Sequence, residues 1–214
     1  MKVFITWEGK NSVESIQRQF KDQLSQQQIL RTTARALNET SKRVQGFIKT
    51  QVRAGYTMNK KYLDRMASVG HYAKGDSSGL YVNINFRTRA IPMIAFKHTG
   101  ANRQKEQIVS VTITKGKSMT LRHAFIARMR NTRNSGEVTE HEGIYGQGKY
   151  VKGKFVHNNA KTETGKPRLT EHVSTSPFTA STTKEMQPNV LKYVSTSLPS
   201  RLKYFLEKKI KKMK

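Results

Sequence analysis

The sequence predicts an α+β fold: a long N-terminal helix packed on a small, mainly antiparallel β-sheet or sandwich, with a basic amphipathic helix at the C-terminus. Three observations predict it. Apolar residues recur at helical spacing between about 26 and 54. The period then falls to two in several short runs between 80 and 129. Finally, a second helical stripe ends in an almost purely cationic tail. No repeat or sharp compositional break divides the 214 residues, which read as a single domain, 1–214, with a flexible loop or hairpin insertion at about 131–168.

Residues 2–7 alternate as a short strand does. "NSVESIQRQFKDQL" reads as a helix capped by Asn11 or Ser12, with Val13, Ile16, Phe20 and Leu24 on one side. The long helix follows. Its stripe is Leu30, Ala34, Leu37, Ser41, Val44, Ile48 and Val52, and Gly55 is its expected stop. The opposite face carries Arg31, Arg35, Lys42, Arg43 and Lys49, either solvated or binding. Residues 57–68 read as a turn or short helix, and "LYVNINF" (80–86) as a half-buried strand. "IPMIAF" (91–96) is an apolar run whose Pro92 suits an edge or a strand beginning. Two strands joined near Lys115-Gly116 come next, the second running over 120–129.

The segment 131–168 is rich in Gly, Asn, Lys, Thr and Glu, and only "KYVKGKFV" looks like strand. In the last stretch, Pro188 fits the first turn of a helix running to about 197, and Pro199 is expected to interrupt or kink it. Leu198, Leu202, Phe205, Leu206 and Ile210 form the final stripe.

Composition narrows the function. Forty Lys+Arg against 14 Asp+Glu give a formal charge of +26, which repels itself unless a polyanion or acidic neighbours compensate it. The absence of cysteine excludes disulfides and thiolate metal sites. "MKVFITWEGKNS" lacks the apolar core of a signal peptide, and no apolar run is long enough to span a membrane.

Catalytic chemistry finds little footing. The three aspartates, Asp22, Asp64 and Asp76, are scattered, whereas a two-metal nuclease needs clustered carboxylates. Glu137, Glu140 and Glu142 cluster around His141, but in the segment expected to be a loop. "HNN" at 157–159 is a tripeptide shared with a nuclease motif, and there is no phosphate-binding loop or nucleophile elbow. His123 beside an apolar strand reads as an ordinary strand histidine. Candidate contacts are cationic instead. Arg122, Arg128 and Arg130 have one parity and are expected to share a strand face, with Phe125 and Met129 on the other. Lys208, Lys209, Lys211, Lys212 and Lys214 crowd the tail. Such groups meet phosphates or acidic subunits without reading base sequence.

The order of these pieces is itself informative. A long helix containing "ARALNETSKRV" precedes "IPMIAF", "VSVTITKG" and "LRHAFIARMRN". A variable loop, "SPFTAS" and a basic amphipathic helix follow. In that order, over about 28–213, the chain resembles the minor tail protein Z family of lambda-like tailed bacteriophages and their prophages. The resemblance implies a structural virion protein at the head-proximal end of the tail, assembled in the host cytoplasm. It would complete the tail, help join it to the head and position the DNA end. The implied partners are tail terminator and tube proteins, head-completion (connector) proteins, packaged double-stranded DNA, and further copies in a ring, typically sixfold. It implies no enzymatic activity, cofactor or metal. A nonspecific nucleic-acid-binding protein and a phage nuclease using Glu140 or His141 remain the alternatives.

Overall fold

In the computed structural model the described residues are 13–65, 67–74, 80–87, 89–100, 108–132, 137–151, 154–174, 179–180 and 186–213. They are α+β, with a long early helix, several small antiparallel sheets and a long C-terminal helix. The expected strand at 2–7 and the caps Asn11 and Ser12 lie outside the described residues. The chain groups into two compact units: Met1–Gln51 with Arg65–Arg87 and Phe178–Lys214, and Val52–Asp64 with Thr88–Pro177.

The first unit is built on three helices: α1 (Val13–Gln19), α2 (Gln26–Gly55, shared with the second unit at its end) and α4 (Met186–Lys211). A reciprocal cap starts α2. Gln28 N–H donates to Ser25 Oγ at 3.3 Å and Ser25 N–H to Gln28 Oε1 at 3.1 Å, which satisfies two donors a helix start leaves open. Ile16, Leu24, Ile29, Ala36, Leu198, Leu202, Phe205 and Leu206 form one buried apolar cluster. Buried Thr33 is bonded twice, donating to Ile29 O (2.9 Å) and accepting from Gln17 Nε2 (2.8 Å), so α1 is tied to α2 by a satisfied polar contact.

Strands β1 (Ala67–His71) and β2 (Asn83–Phe86) pair antiparallel. Residues 67–71 therefore leave the turn or helix expected over 57–68, and the strand expected at 80–86 is shorter. Two amides of α2 hold this hairpin by its backbone: Gln45 Nε2 donates to Ala67 O, and Asn38 exchanges two bonds with Ala73 (2.9 and 2.8 Å). Pro199 does not interrupt α4, which continues through it. Leu198 on one side and Leu202, Phe205 and Leu206 on the other are all buried, and that burial outweighs the bond a proline removes.

In the second unit, Asn59 caps α3 (Lys60–Arg65) through its Oδ1, which accepts from Tyr62 N–H. "IPMIAF" is not a strand. Met93–Ala95 is a 3-10 turn closed by Phe96 N–H to Met93 O, and it buries Ile91, Met93, Ala95 and Phe96. One sheet orders β3 (Lys97–Gly100), β4 (Ile108–Thr114) and β5 (Lys117–Arg122), turning at Lys115-Gly116 as expected. A second orders β10 (Thr170–Glu171), β7 (Val138–Gly146) and β6 (Ala124–Thr132). A separate ribbon pairs β8 (Gly148–Val151) with β9 (Lys154–His157).

The expected strand at 120–129 is two strands in two sheets, broken at His123, whose φ is 64°. Leu121 and Ala124 are both fully buried, yet three apart they cannot share a face of a period-two strand. The left-handed residue between them lets each enter its own sheet. The segment 131–168 is also more regular than its composition predicts, since β7 pairs with β6 over nine residue pairs.

Candidate nucleic-acid interface

The β6–β7 hairpin decides what the predicted arginines do. In its register Arg128 stands opposite Glu142 and Arg130 opposite Glu140, all four on one face. Arg128 Nε lies 3.8 Å from Glu142 Oε1, and Arg130 Nε 3.5 Å from Glu140 Oε1. The same face is buried nearer the base of the hairpin, where Ala124, Ile126 and Ile144 sit. Arg122 does not join it, because it ends β5 in the other sheet, on the far side of the break at His123. The sequence-predicted triplet is therefore a pair plus a separate arginine. Glu140 and Glu142, in the segment expected to be a loop, are the strand partners of that pair, and Glu137 lies just before the strand.

Reversing Arg128 to Glu sets two carboxylates opposite each other and is expected to lower stability by roughly 0.5–1 kcal/mol, the scale of exposed cross-strand pairs. The swap Arg128→Glu with Glu142→Arg is expected to recover it in urea unfolding; no recovery would show the pair contributes nothing.

On the opposite face, His141 Nε2 lies 2.6 Å from Glu171 Oε1. Glu171 is registered with Tyr145, so its side chain reaches His141 across Gly143, where an added Cβ would sit 2.8 Å from Glu171 Oε1. Burial, and then the Glu171 charge, push the Tyr145 phenol above its ordinary value. Glu140, Glu142 and His141 are thus each set against a partner across the sheet, and among the described residues no group of three or more His, Cys, Asp or Glu is placed to hold a metal ion.

His123, His157 and His172, far apart in the sequence, lie around the β8–β9 ribbon. His123 packs at 5.3 Å from Phe155 and 5.9 Å from His157, and Tyr150 bridges Phe155 (5.2 Å) to His172 (5.7 Å). The Tyr150 hydroxyl donates to Arg122 O at 2.8 Å, fastening the β8–β9 ribbon to the end of β5. His172 is 4 % exposed, and its Nε2 has no hydrogen-bond partner among the described residues. Its backbone is held by His172 N–H to Ile144 O (2.8 Å) and Met93 N–H to His172 O (2.9 Å).

Burial holds the His172 imidazole below its ordinary pKa of 6.5, so the fold favours the neutral ring. The sign follows. The stability from this group is present above the unfolded value and is lost as pH falls below about 6.5. Urea unfolding at pH 7.5 and 5.5 is expected to show a drop of up to about 1 kcal/mol per pH unit that is smaller in His172→Phe. An identical drop in both proteins would refute it.

The other predicted cations sit on helix surfaces. Lys208, Lys209, Lys211 and Lys212 are all exposed, beyond the last buried residue of α4, and Lys208 lies over the Tyr204 ring at 5.7 Å; Lys214 lies outside the described residues. On α2 the basic face is partly engaged. Arg35 covers the Phe205 ring (4.8 Å), Lys42 the Tyr72 ring (5.7 Å), and Glu39 joins Arg43 (3.0 Å) and Arg201 (3.4 Å). Among the described residues, no helix is long and apolar enough to cross a membrane. No protein-family model matches the chain, and no curated protein or solved structure is significantly similar to it.

Proposed function

We propose that this protein is a structural component of a tailed-bacteriophage virion, acting at the head-proximal end of the tail as a tail-completion protein that helps join head to tail and position the DNA end. The observation that carries the reading is the division of charge. The carboxylates Glu39, Glu140, Glu142 and Glu171 hold arginines and a histidine in place. Lys208, Lys209, Lys211 and Lys212 at the end of the C-terminal helix stand exposed, and among the described residues none of them makes an ion pair. Acids used this way support a scaffold over a nuclease, which needs them convergent on metal ions. An excess of +26 is relieved when subunits surround a polyanion or meet acidic neighbours, as in a ring on packaged double-stranded DNA with terminator, tube and connector proteins around it. The order of segments that resembles the tail protein Z family supports the same reading.

The test is electron microscopy of phage particles whose copy of the gene is stopped at Gln19. Filled heads separated from tails, or joined particles that do not infect, are expected. Normal infectious particles would remove the neck role and favour a free nucleic-acid-binding protein.

A further inference from the structure

The β8–β9 ribbon has two unlike faces. Its register pairs Gly148 with His157, Lys149 with Val156, Tyr150 with Phe155 and Val151 with Lys154. Strand alternation then places Tyr150, Phe155 and His157 on one face and Lys149, Lys154 and Val156 on the other. The ring-bearing face is engaged with His123 and His172. The other face is exposed, with Val156 at 47 %. Asn158 N–H to Gln147 O (2.7 Å) extends the ladder past His157.

A small closed turn follows directly. Lys161 bridges Pro167, Arg168 N–H donates to Ala160 O (2.9 Å), and Thr162 exchanges bonds with Lys166 through both backbone and hydroxyl. It presents exposed Lys161, Lys166 and Arg168 beside one carboxylate, Glu163. None of Lys149, Lys154, Lys161, Lys166 and Arg168 makes an ion pair among the described residues. Arg128 and Arg130, in the same unit, are each faced by a glutamate.

From this contrast we infer that the lysine face of the β8–β9 ribbon, continued by the 160–168 turn, is the surface that contacts the phosphates of double-stranded DNA. The inference rests on the polyanion-meeting reading above and moves the contact from the predicted strand arginines to a segment whose role the sequence left open. The class of nucleic acid follows from the two faces. Binding of single strands uses aromatic rings on which bases stack, and neither the lysine face of the ribbon nor the 160–168 turn carries one. That face offers exposed charge on a two-stranded ribbon, which suits sequence-independent contact with a duplex backbone.

The experiment is fluorescence anisotropy of a short labelled DNA duplex with the purified full chain across about 50–200 mM salt. Two variants remove the same charge from one unit: K149Q/K154Q and R128Q/R130Q. The ribbon variant is expected to bind about tenfold more weakly, with its log–log salt slope reduced by about 2, one for each lost phosphate contact. The paired-arginine variant is expected to lose no more than about twofold and to keep its salt slope, because its arginines lie against Glu142 and Glu140 and contact no phosphate, so only the longer-range field of the two uncovered carboxylates acts. If K149Q/K154Q loses the native circular dichroism spectrum, K161Q/K166Q replaces it with the same expectation. Equal losses in both variants, an unchanged ribbon variant, tighter binding to the corresponding single strand, or no duplex binding by the parent would each overturn the inference. The readout is binding by the isolated chain, so it is decided separately from the particle morphology that tests the virion role.

Discussion

Leu202→Ala is expected to destabilise the helical unit by about 3 kcal/mol, the largest single effect foreseen for this chain. Leu202 is 0 % exposed and sits within the cluster of Ile16, Leu24, Ile29, Ala36, Leu198, Phe205 and Leu206. Truncation removes the transfer energy of its methyl groups and leaves a cavity that helices pinned at Ser25 and Thr33 cannot readily close. Leu191 provides the comparison on the same helix. It is 47 % exposed, and Leu191→Ala is expected to change stability by no more than about 0.5 kcal/mol. Urea titration followed by far-ultraviolet circular dichroism measures both, and similar losses for the two leucines would contradict the assigned core.

The second large effect comes from adding one carbon. Gly146 lies in β7, where an alanine Cβ would stand 2.7 Å from the carbonyl oxygen of His123 and 2.8 Å from His172 Nε2. The first neighbour is backbone at the left-handed corner and the second a buried ring held by two backbone bonds, so neither can give way cheaply. Gly146→Ala is expected to cost about 2–3 kcal/mol, in the range of overpacking. The same substitution at Gly46 is expected to act with opposite sign. There, on the exposed side of α2, the added Cβ meets nothing within 4 Å, and replacing a mid-helix glycine stabilises by about 0.5–1 kcal/mol. Thermal unfolding of the two variants checks the pair. A Gly146→Ala protein as stable as its parent would mean that β7, His123 and His172 are not packed together as described.

The helices were legible because their signal is long. The stripes of α2 and α4 repeat over several turns, and most of their expected members, among them Val44, Ile48, Leu202 and Leu206, are buried. The β4–β5 hairpin was legible too, since its alternation brackets Lys115-Gly116. The break at His123 was not. No glycine or proline marks it, and the buried run Ala124, Phe125 and Ile126 occupies both parities, which erases the alternation that would have located a strand end. Strand β7 was hidden for the opposite reason. Its first half, "VTEHE", is polar and partly exposed, and its buried end, "GIYG", is too short and glycine-rich to mark a strand. Of the candidate site, the common face of Arg128 and Arg130 could be read from parity, but not the glutamates opposite, because pairing across a hairpin depends on a register set by tertiary contacts. Nothing in "TEHVST" distinguishes His172 from any other histidine, for its burial is a property of its neighbours.

The facing arginines and glutamates of the β6–β7 hairpin also shape what a distant partner feels. Each couple is a short dipole, whose potential dies away faster than that of a lone charge. Beyond roughly one Debye length, about 8–10 Å at ordinary salt, the hairpin is electrically almost silent. The exposed lysines of the ribbon and of the C-terminal helix, which make no ion pair among the described residues, act instead as monopoles. Added salt therefore shortens the reach of those lysines far more than it weakens the close couples of the hairpin.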